Sequence, residues 1–288
     1  MVEVQLLREI ARDVLGEEVA RKIWKRLEIV GDIAIIRKPL DLDIDIDLYR
    51  KLGHEIMRRA PYVKSVWLAV SPVVGTYRVR EFVHLAGEPR SETVYKEHGC
   101  HFKLDFRKVY VSPALNYEHI RVAKAVRPGE EVLNMFAGVG LFSIIIARHS
   151  KPKRVISVDI NPDAYKYMVE NVKLNKVEDI VVPVLGDARQ VARSYTNNFD
   201  RILMPLPELA YEYFEDAIAS LKKSGVIHVY DFTSSRSREE ALDHVKAKYL
   251  SKCDSIGVRA EVLTSRVVRS VGPRYYQVVL DLLVEKSS

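Results

Sequence analysis

The 288-residue sequence is poor in the features that mark secreted, membrane-spanning and metal-binding proteins. It has only two cysteines, Cys100 and Cys253, which lie far apart and show no metal-ligand spacing. No apolar run approaches the length of a membrane span, and the N-terminus lacks the basic start and apolar block of a signal peptide. We therefore expect a cytoplasmic protein with no membrane partner and no metal site.

A strong excess of one charge is also missing. The chain has 45 Lys and Arg against 39 Asp and Glu, a net charge of +6. This excess permits a polyanionic partner at a local basic patch without requiring one. The composition, 48% hydrophobic and 29% charged, is that of a folded globular protein, and the length allows one large core or two smaller ones.

The most informative stretch is an apolar strand, a glycine turn and a helix start over residues 132–147. Phe136, Gly138 and Gly140 lie in the turn, where glycines let the backbone approach a ligand and the first amides of the helix face it. Asp159, nineteen residues after Gly140, ends the next apolar run. A carboxylate there can accept hydrogen bonds from ribose hydroxyls, so the pattern predicts a nucleotide-like ligand.

The dinucleotide-binding fingerprint is incomplete, because Ser143 stands where it requires a third Gly or Ala. This departure weakens the alternative of an NAD-dependent oxidoreductase. The Ala-Gly-Val-Gly form is commoner in enzymes that use S-adenosylmethionine (SAM), which has no pyrophosphate.

Strands and helices alternate from about residue 111 to the end, which predicts a parallel sheet with helices on both faces. The Gly272-Pro273 turn predicts that the last two strands form an antiparallel hairpin. We expect an α/β fold, the seven-stranded Rossmann-like sheet of class I SAM-dependent methyltransferases, over residues 111–288. The predicted strands are 132–135, 154–158, 180–185, 200–204, 225–230, 257–268 and 275–284, and the predicted helices are 118–126, 141–149, 163–174, 208–223 and 236–250.

Residues 1–110 predict a smaller α+β module that could contact RNA. Its basic residues are candidates for contacts with phosphates, with ordinary surface charge as the alternative: Arg58, Arg59, Lys64, Arg78, Arg80 and Arg90. Apolar spacing indicates a helix over residues 3–27, and residues 28–110 indicate a mainly antiparallel sheet with one helix. A strand is expected over residues 77–86. The alternation of Asp with Leu or Ile over residues 41–47 indicates a solvated strand face or a charged approach to a helix rather than a metal cluster.

Ligands of such sheets lie outside the carboxyl ends of the strands. Asp187 follows the third strand, where its carboxylate could receive the adenine amine and the amide of Ala188 could serve a ring nitrogen. The fourth strand ends in Met204, and Pro205-Leu206-Pro207 then form a rigid segment where a target base would lie. No amide or carboxylate stands among them, which disfavours methylation of an exocyclic amine.

Several motifs together resemble those of the tRNA guanine-37 N1-methyltransferases and the wyosine-forming transferases that elaborate the same base. They are Lys108 to Ala114, Glu118 to Arg121, Asn134 to Ser143, Asp200 to Pro207 with Ala210, and Arg269 to Tyr275. The resemblance implies SAM as the cofactor, tRNA as the substrate and an archaeal type of enzyme. It covers the chain from about residue 90 to the C-terminus, and the N-terminal helix with Gly31-Asp32 extends it.

The resemblance also implies roles for individual residues. The implied cofactor residues are Ser112, His119, Phe136, Gly138, Gly140, Asp159, Asp187 and Ala188; the implied substrate residues are Pro205, Leu206, Pro207 and Arg269; and the candidate catalytic residues are Glu118, His119 and Pro205. Asp159 is also a titratable candidate for the general base, but its carboxylate is expected to be hydrogen-bonded to the ribose.

The sequence departs from the N1-methyltransferases at two positions. Ala114 replaces the Arg expected after Ser-Pro, and Pro205 replaces the Asn expected before Leu-Pro. That Arg would steady the charge that develops on the guanine oxygen. The chain thus combines motifs of the methyltransferases with these two departures. This combination favours the branch that methylates C7 of 4-demethylwyosine at position 37, giving isowyosine, with guanine N1 methylation as a further activity.

Two alternatives stay open. The Ser-Pro-Ala form resembles the enzyme that transfers the aminocarboxypropyl group of SAM to the same C7, and a module that binds RNA without catalysis would also explain the motifs. The expected partner is the anticodon loop of a tRNA, with tRNA-Phe as the first candidate and no DNA, and the target base must leave the loop stack to react.

Overall fold

The computed structural model of the protein describes residues 2–23, 27–39, 44–73 and 75–286. The chain divides into two compact units, Met1–Pro113 and Ala114–Ser288. Within the described parts of the chain, no helix is both long enough and apolar enough to span a membrane.

The N-terminal unit contains two sheets and three helices among the described residues. A four-stranded sheet has the order β1-β2-β3-β4, and β5 and β6 pair as a separate hairpin. Its elements are α1 (Val2–Leu15), α2 (Glu17–Lys22), β1 (Glu28–Val30), β2 (Ile33–Arg37), α3 (Ile46–Arg59), β3 (Ser65–Ala69), β4 (Phe82–Gly87), β5 (Glu92–Glu97) and β6 (Cys100–Asp105).

Two sequence expectations for this unit need correction, and one is confirmed. The helix expected over residues 3–27 ends at Leu15, because Gly16 has φ 83°, and α2 follows; residues 24–26 lie outside the described residues. The expectation of mainly antiparallel pairing is confirmed, with β2 and β3 as parallel neighbours connected through α3. The strand expected from Tyr77 begins only at Phe82, after a turn.

Helix α3 begins within the acidic run of residues 41–47 and is amphipathic. Asp45 caps it, since its side chain accepts a hydrogen bond from the Asp47 amide at 2.8 Å. Residues 41–43 of that run lie outside the described residues. The helix buries one face against the sheet in a core that includes Leu52, Ile56 and Val66.

The C-terminal unit contains a seven-stranded sheet with the order β12-β13-β11-β10-β7-β8-β9. This sheet confirms the predicted fold class. The elements are α4 (Asn116–Ala125), β7 (Glu131–Asn134), α5 (Leu141–His149), β8 (Arg154–Asp159), α6 (Pro162–Leu174), β9 (Val181–Leu185), α7 (Ala188–Ser194), β10 (Phe199–Met204), α8 (Pro207–Ala210), α9 (Phe214–Ser220), β11 (Leu221–Ser234), α10 (Arg238–Ser255), β12 (Val258–Gly272) and β13 (Tyr275–Lys286).

The strand directions bring the predicted site residues to one edge of this sheet. Strands β7 to β11 are mutually parallel, and β13 runs antiparallel between β11 and β12. The carboxyl ends of the parallel strands therefore share an edge with the tip of the β12–β13 hairpin. We call this the carboxyl edge.

Two helices of this unit differ from the sequence expectation. The helix expected over residues 208–223 is divided into α8 and α9, and β11 already begins at Leu221, which is fully buried and pairs with Phe199 of β10. Helix α7 was not expected at all. Asp187 caps it, accepting hydrogen bonds from the amides of Arg189 at 2.7 Å and Gln190 at 3.3 Å.

Candidate functional site

The glycine turn after β7 is held against the end of β8. The Gly138 amide donates to Asp159 Oδ2 at 2.6 Å, and the Ala137 amide donates to the Val158 carbonyl at 2.8 Å. Gly138 has φ 56° and Gly140 has φ 95°, in the left-handed region that favours glycine. A Cβ atom at Gly140 would lie 3.0 Å from Ile144 Cδ1, so glycine is required there on two counts.

Asp159 is oriented by backbone amides rather than by a cation. Its second oxygen, Oδ1, accepts from the Asn161 amide at 2.9 Å. Burial raises the pKa of the Asp159 carboxyl, although these amide hydrogen bonds act in the opposite direction. Each oxygen keeps a further lone pair, so the carboxylate can still accept hydrogen bonds from two ligand hydroxyls.

Ser143 explains why the third fingerprint glycine is missing. Its hydroxyl accepts a hydrogen bond from Asn134 Nδ2 at 3.1 Å and lies 2.7 Å from the Ser157 hydroxyl. All three side chains are fully buried. They connect α5 to β7 and β8, an interaction that a glycine could not make.

Phe136, Asp187 and Tyr213 come together at the carboxyl edge. The Tyr213 hydroxyl donates to Asp187 Oδ2 at 3.2 Å, and its ring centroid lies 5.5 Å from that of Phe136. Burial and the neighbouring Asp187 raise the pKa of Tyr213, so its hydroxyl stays protonated and acts as a donor. Aromatic rings beside a carboxylate form a surface suited to a purine with an exocyclic amine.

Sequence reasoning missed Tyr213 and two exposed apolar residues of this edge. Ile160 directly follows Asp159 and is 44% exposed, and Leu185 ends β9 and is 49% exposed. Because both residues lie at the carboxyl ends of predicted strands, the sequence could have indicated them as site residues. Tyr213 offered no such signal, because it lies 26 residues from Asp187 along the chain.

The proline segment leaves the neighbouring strand at the same edge. Pro205 and Leu206 are half-buried, and Pro207 is buried as the first residue of α8. Arg269 lies near the end of β12, and its Nε donates to Gln277 Oε1 at 2.7 Å. Ala188, the other residue expected here, is buried at the start of α7.

Glu118 and His119 lie side by side on α4 in different surroundings. His119 is buried, and its ring packs edge-on against Phe142 of α5 at 4.4 Å between centroids. The Glu118 carboxylate accepts from Arg121 Nε at 3.0 Å, from the Tyr230 hydroxyl at 3.0 Å and from Arg266.

A buried ionic network extends from Glu118 behind the site. Arg121 binds Asp281 through two nitrogens, at 2.5 and 3.2 Å, and Asp281 Oδ1 lies 2.6 Å from His228 Nδ1. Arg201 Nη1 lies 2.6 Å from His228 Nε2. Because arginine only donates, Nε2 accepts and the proton is on Nδ1, which makes His228 neutral. Burial lowers the pKa of His228 and the nearby arginines do so too, while Asp281 acts in the opposite direction.

The remaining predicted cofactor residue, Ser112, belongs to the N-terminal unit, where it is buried. Several basic residues of that unit are already paired with acids. Arg59 contacts Asp13 at 2.5 Å and Glu55 at 2.6 Å, and Arg90 binds Asp32.

The fold and the carboxyl edge define the class of the protein: a Rossmann-like SAM-dependent transferase with a C-terminal antiparallel hairpin. The TRM5/TYW2 methyltransferase domain model matches residues 93–256, and the TYW2 N-terminal domain model matches residues 7–91. The chain belongs to the TRM5/TYW2 family of tRNA-modifying enzymes, which confirms the predicted resemblance.

Relatives in this family carry out different reactions. The chain is 47% identical over 261 residues to the tRNA 4-demethylwyosine(37)-methyltransferase Taw21 of Saccharolobus solfataricus, covering 90% of this chain and 94% of the relative. It is 40% identical to the tRNA (guanine(37)-N(1))-methyltransferase Trm5b of Pyrococcus abyssi, covering 96% and 79%. It is 33% identical to the tRNA(Phe) (4-demethylwyosine(37)-C(7)) aminocarboxypropyltransferase of Methanocaldococcus jannaschii, covering 89% and 97%.

Solved structures agree with this assignment. Trm5b from Pyrococcus abyssi superposes with a TM-score of 0.82, at 40% identity, over 93% of this chain and 78% of that one. An aTrm5 solved with tRNALeu gives a TM-score of 0.83 at 34% identity, covering 96% and 77%. M. jannaschii TYW2 in complex with AdoMet gives 0.69 at 26% identity, covering 91% and 100%. The expectation of a SAM-dependent family is confirmed.

Proposed function

We propose that this protein transfers the methyl group of SAM to C7 of 4-demethylwyosine at position 37 of a tRNA. The observation that carries the proposal is the carboxyl edge, where Asp159, Phe136 and Asp187 line one side and the proline segment after Met204 lines the other. The 47% identity to Taw21 supports the choice of reaction within the family.

The residues of the carboxyl edge match the parts of SAM. Asp159 is proposed to hold the ribose hydroxyls, since its two oxygens are already fixed by backbone amides at 2.6 and 2.9 Å. Ile160 and Phe136 would enclose the adenine, while Asp187 accepts from its amine and the Ala188 amide serves a ring nitrogen. Gly138 and Gly140 allow the backbone to approach the ligand.

The methionine end of SAM is proposed to lie near His119. His119 is fixed by its edge-on contact with Phe142, at the start of the helix that follows the glycine turn. When bound, SAM supplies an electrophilic sulfonium methyl group. The protein contributes mainly alignment and exclusion of water, which are the principal requirements of an in-line transfer.

Pro205, Leu206 and Pro207 are proposed to border the target base, with Arg269 contacting the RNA. Pro205 and Pro207 fix the backbone at the end of β10, so the base would meet a preformed wall. This wall has no Asn or Asp side chain, which suits a carbon nucleophile better than an exocyclic amine. C7 of the tricyclic base is electron-rich enough to attack first and lose its proton afterwards.

We propose different parts for the two neighbouring titratable residues of α4. Glu118 anchors the helix, because Arg121 and Arg266 already neutralise its carboxylate. His119 is then the better candidate to accept the C7 proton, since histidine is the side chain that most often serves as a general base. His119→Asn should lower kcat and, because His119 also borders the proposed methionine site, weaken SAM binding, whereas Glu118→Gln should lower the stability of the protein.

The reaction is tested with tRNA transcripts that carry either guanine or 4-demethylwyosine at position 37. Each is incubated with SAM labelled in the methyl carbon or in the carboxyl carbon, and the nucleoside is analysed by mass spectrometry. We expect methyl label in the 4-demethylwyosine tRNA, with a smaller yield of 1-methylguanosine from the guanine tRNA. Carboxyl label in the RNA would refute methyl transfer.

Aminocarboxypropyl transfer to the same carbon is the second candidate. Ala114 after Ser112-Pro113 and the match of residues 7–91 to the TYW2 N-terminal domain both favour it. This activity requires SAM to bind with its aminocarboxypropyl carbon facing the base. The same double-label experiment separates the two reactions.

The proposed partner is the anticodon loop of tRNA, with tRNA-Phe as the first substrate to test. The relative that acts on tRNA(Phe) and the aTrm5 solved with tRNALeu support a tRNA. Extruding the base costs about a few kcal/mol and is least costly in a loop.

A further inference from the structure

The carboxyl edge extends beyond the proline segment to a surface made by two connected turns. Ser234 at the end of β11 pairs with Tyr275 at the start of β13, and the Ser235 amide donates to the Arg274 carbonyl at 2.9 Å. The turn after β11 and the tip of the β12–β13 hairpin are thus one rigid piece. We call Phe232, Arg236, Arg274 and Tyr275 the hairpin-tip surface.

Two arginines of this surface are exposed and carry no salt bridge. Within the described chain, the guanidinium groups of Arg236 and Arg274 form no hydrogen bond and no ion pair. Arg193, another exposed arginine of this unit, differs in being paired, since it contacts Asp216 at 2.6 Å.

Three carboxylates lie near this surface. Burial raises the pKa of Tyr275, and the carboxylates of Glu208 and Asp231 raise it further. Glu240 and Asp231 are engaged with other groups. Glu240 accepts from the Arg236 backbone amide at 2.5 Å, and Asp231 binds Lys248 at 2.6 Å. The two free guanidinium groups therefore give the surface a local positive charge that is suited to phosphates.

An aromatic platform accompanies these charges. Tyr275 is 40% exposed, and its ring centroid lies 5.4 Å from that of Phe232 with 31° between the ring planes. Phe232 supports one side of the Tyr275 ring, and the exposed part of that ring is available for stacking. Free cations beside a supported aromatic ring are the combination that binds single-stranded nucleic acids.

We propose that the hairpin-tip surface binds the nucleotides that flank the modified base, with Arg236 and Arg274 contacting phosphates and Tyr275 stacking on a neighbouring base. This rests on the proposed function, because the anticodon loop is the source of the strand. Strand β13 lies two positions from β10 in the sheet, about 10 Å at the usual strand spacing. That separation suits nucleotides adjacent to a base held at the proline segment.

The test compares Arg236→Ala/Arg274→Ala with a matched control, Arg127→Ala/Arg259→Ala. The control arginines are exposed too, but they lie at the opposite edge of the sheet, before β7 and at the start of β12. The affinity for an anticodon stem-loop RNA is measured without SAM over a range of salt concentrations. The test variant should bind about tenfold more weakly, and the slope of log K against log salt should fall by about 1.4, or about 0.7 for each lost contact with a single strand.

The control pair should keep both the affinity and the slope. Tyr275→Ala should weaken binding about tenfold while Tyr275→Phe retains it, because stacking needs the ring and not the hydroxyl. Arg236→Lys/Arg274→Lys keeps the charge and should keep the slope. If the alanine pair disturbs folding, Arg236→Gln/Arg274→Gln replaces it in the comparison with the lysine pair.

Unchanged RNA affinity and salt slope in the alanine or glutamine pair would overturn the proposal, and equal losses in the test and control pairs would do so too. Failure of the proposed function looks different: the wild-type protein would give no label in tRNA, whatever the salt slopes. RNA affinity that depends on Arg236 and Arg274 without any transfer would keep the surface and remove the reaction.

Discussion

Asp159 is the residue on which the proposed cofactor site depends most. It connects the glycine turn to β8 through the Gly138 amide and presents its remaining lone pairs to a ligand. Its burial means that the carboxylate forms strong hydrogen bonds when it is ionised. The identity of this one side chain should therefore control cofactor affinity.

We expect Asp159→Asn to weaken SAM binding about ten- to a hundredfold. Hydrogen bonds to a charged group are worth about 1.5–3 kcal/mol, and the amide supplies only one acceptor oxygen. Isothermal calorimetry with SAM measures the change. Asp179→Asn, an exposed carboxylate of the same unit, is the control. Equal affinities for wild type and Asp159→Asn would remove Asp159 from the site.

A comparison of Gly140 with Gly129 distinguishes the two costs of replacing a glycine, backbone strain and steric overlap of the new side chain. Gly140 and Gly129 both have positive φ, at 95° and 83°, but only Gly140 has neighbours within 4 Å of a built Cβ atom. Gly129→Ala should lower the free energy of unfolding by about 1–2 kcal/mol through backbone strain. Gly140→Ala should cost more, because Ile144 and Met168 must also move. Denaturant unfolding measures both, and equal losses would show that packing at Gly140 is relaxed at no cost.

Helix α4 shows how an element is positioned by charges that sequence patterns do not indicate. The carboxylates of Glu118, Asp281 and Glu130 balance the guanidinium groups of Arg121, Arg266 and Arg201, with a neutral His228 between two of them. The network fixes α4, and thereby His119, against the four strands β10 to β13. Breaking it should be costly, because each removed partner leaves a buried charge.

Because of His228, we predict that the protein becomes less stable in mildly acidic solution. The pKa of His228 is lowered in the folded protein, so below the ordinary histidine pKa of about 6.5 the unfolded chain binds the proton more readily. The free energy of unfolding should therefore fall as the pH drops from about 7 to 5, with a slope of up to about 1.4 kcal/mol per pH unit from this proton.

The measurement is urea unfolding at a series of pH values. His228→Gln should flatten the slope, whereas His149→Gln, at an exposed position at the end of α5, should leave it unchanged. A slope that is identical in wild type and His228→Gln would show that His228 does not titrate in this range. At still lower pH, Asp281 acts in the same direction. Burial tends to raise its pKa, but His228 and Arg121 hold that pKa well below its usual value, so its contribution is lost as the carboxyl becomes protonated.

For the whole molecule, binding of SAM should appear as thermal stabilisation. A ligand at 100 times its Kd adds about 2.7 kcal/mol, which raises the Tm of a unit this size by roughly 5–10 °C. Scanning calorimetry with SAM, S-adenosylhomocysteine and NAD checks this. We expect a shift with the first two only, and a shift with NAD alone would favour an oxidoreductase.

How much of this could be predicted from the sequence differs between elements. The order of strands and helices from β7 to β13, the hairpin at Gly272-Pro273 and the position of Asp159 after β8 were all predictable, because each depends on local periodicity or turn chemistry. Helix α7 was missed because only its cap, Asp187, signals it. The end of the helical segment at Ser220, before the expected residue 223, was missed because a tertiary contact, the pairing of Leu221 with Phe199, overrides a helical pattern.

The amino-acid sequence by itself determined the class of fold, the glycine turn, the acid that follows it and the resemblance to one family, since these are encoded in neighbouring residues. Only the tertiary structure decided that Tyr213 meets Asp187, that Glu118 is neutralised while His119 packs on an aromatic ring, and that Arg236 lies beside Arg274. The physical reason is that these contacts join residues distant in the chain, and sheet pairing and burial, which no local pattern records, bring them together.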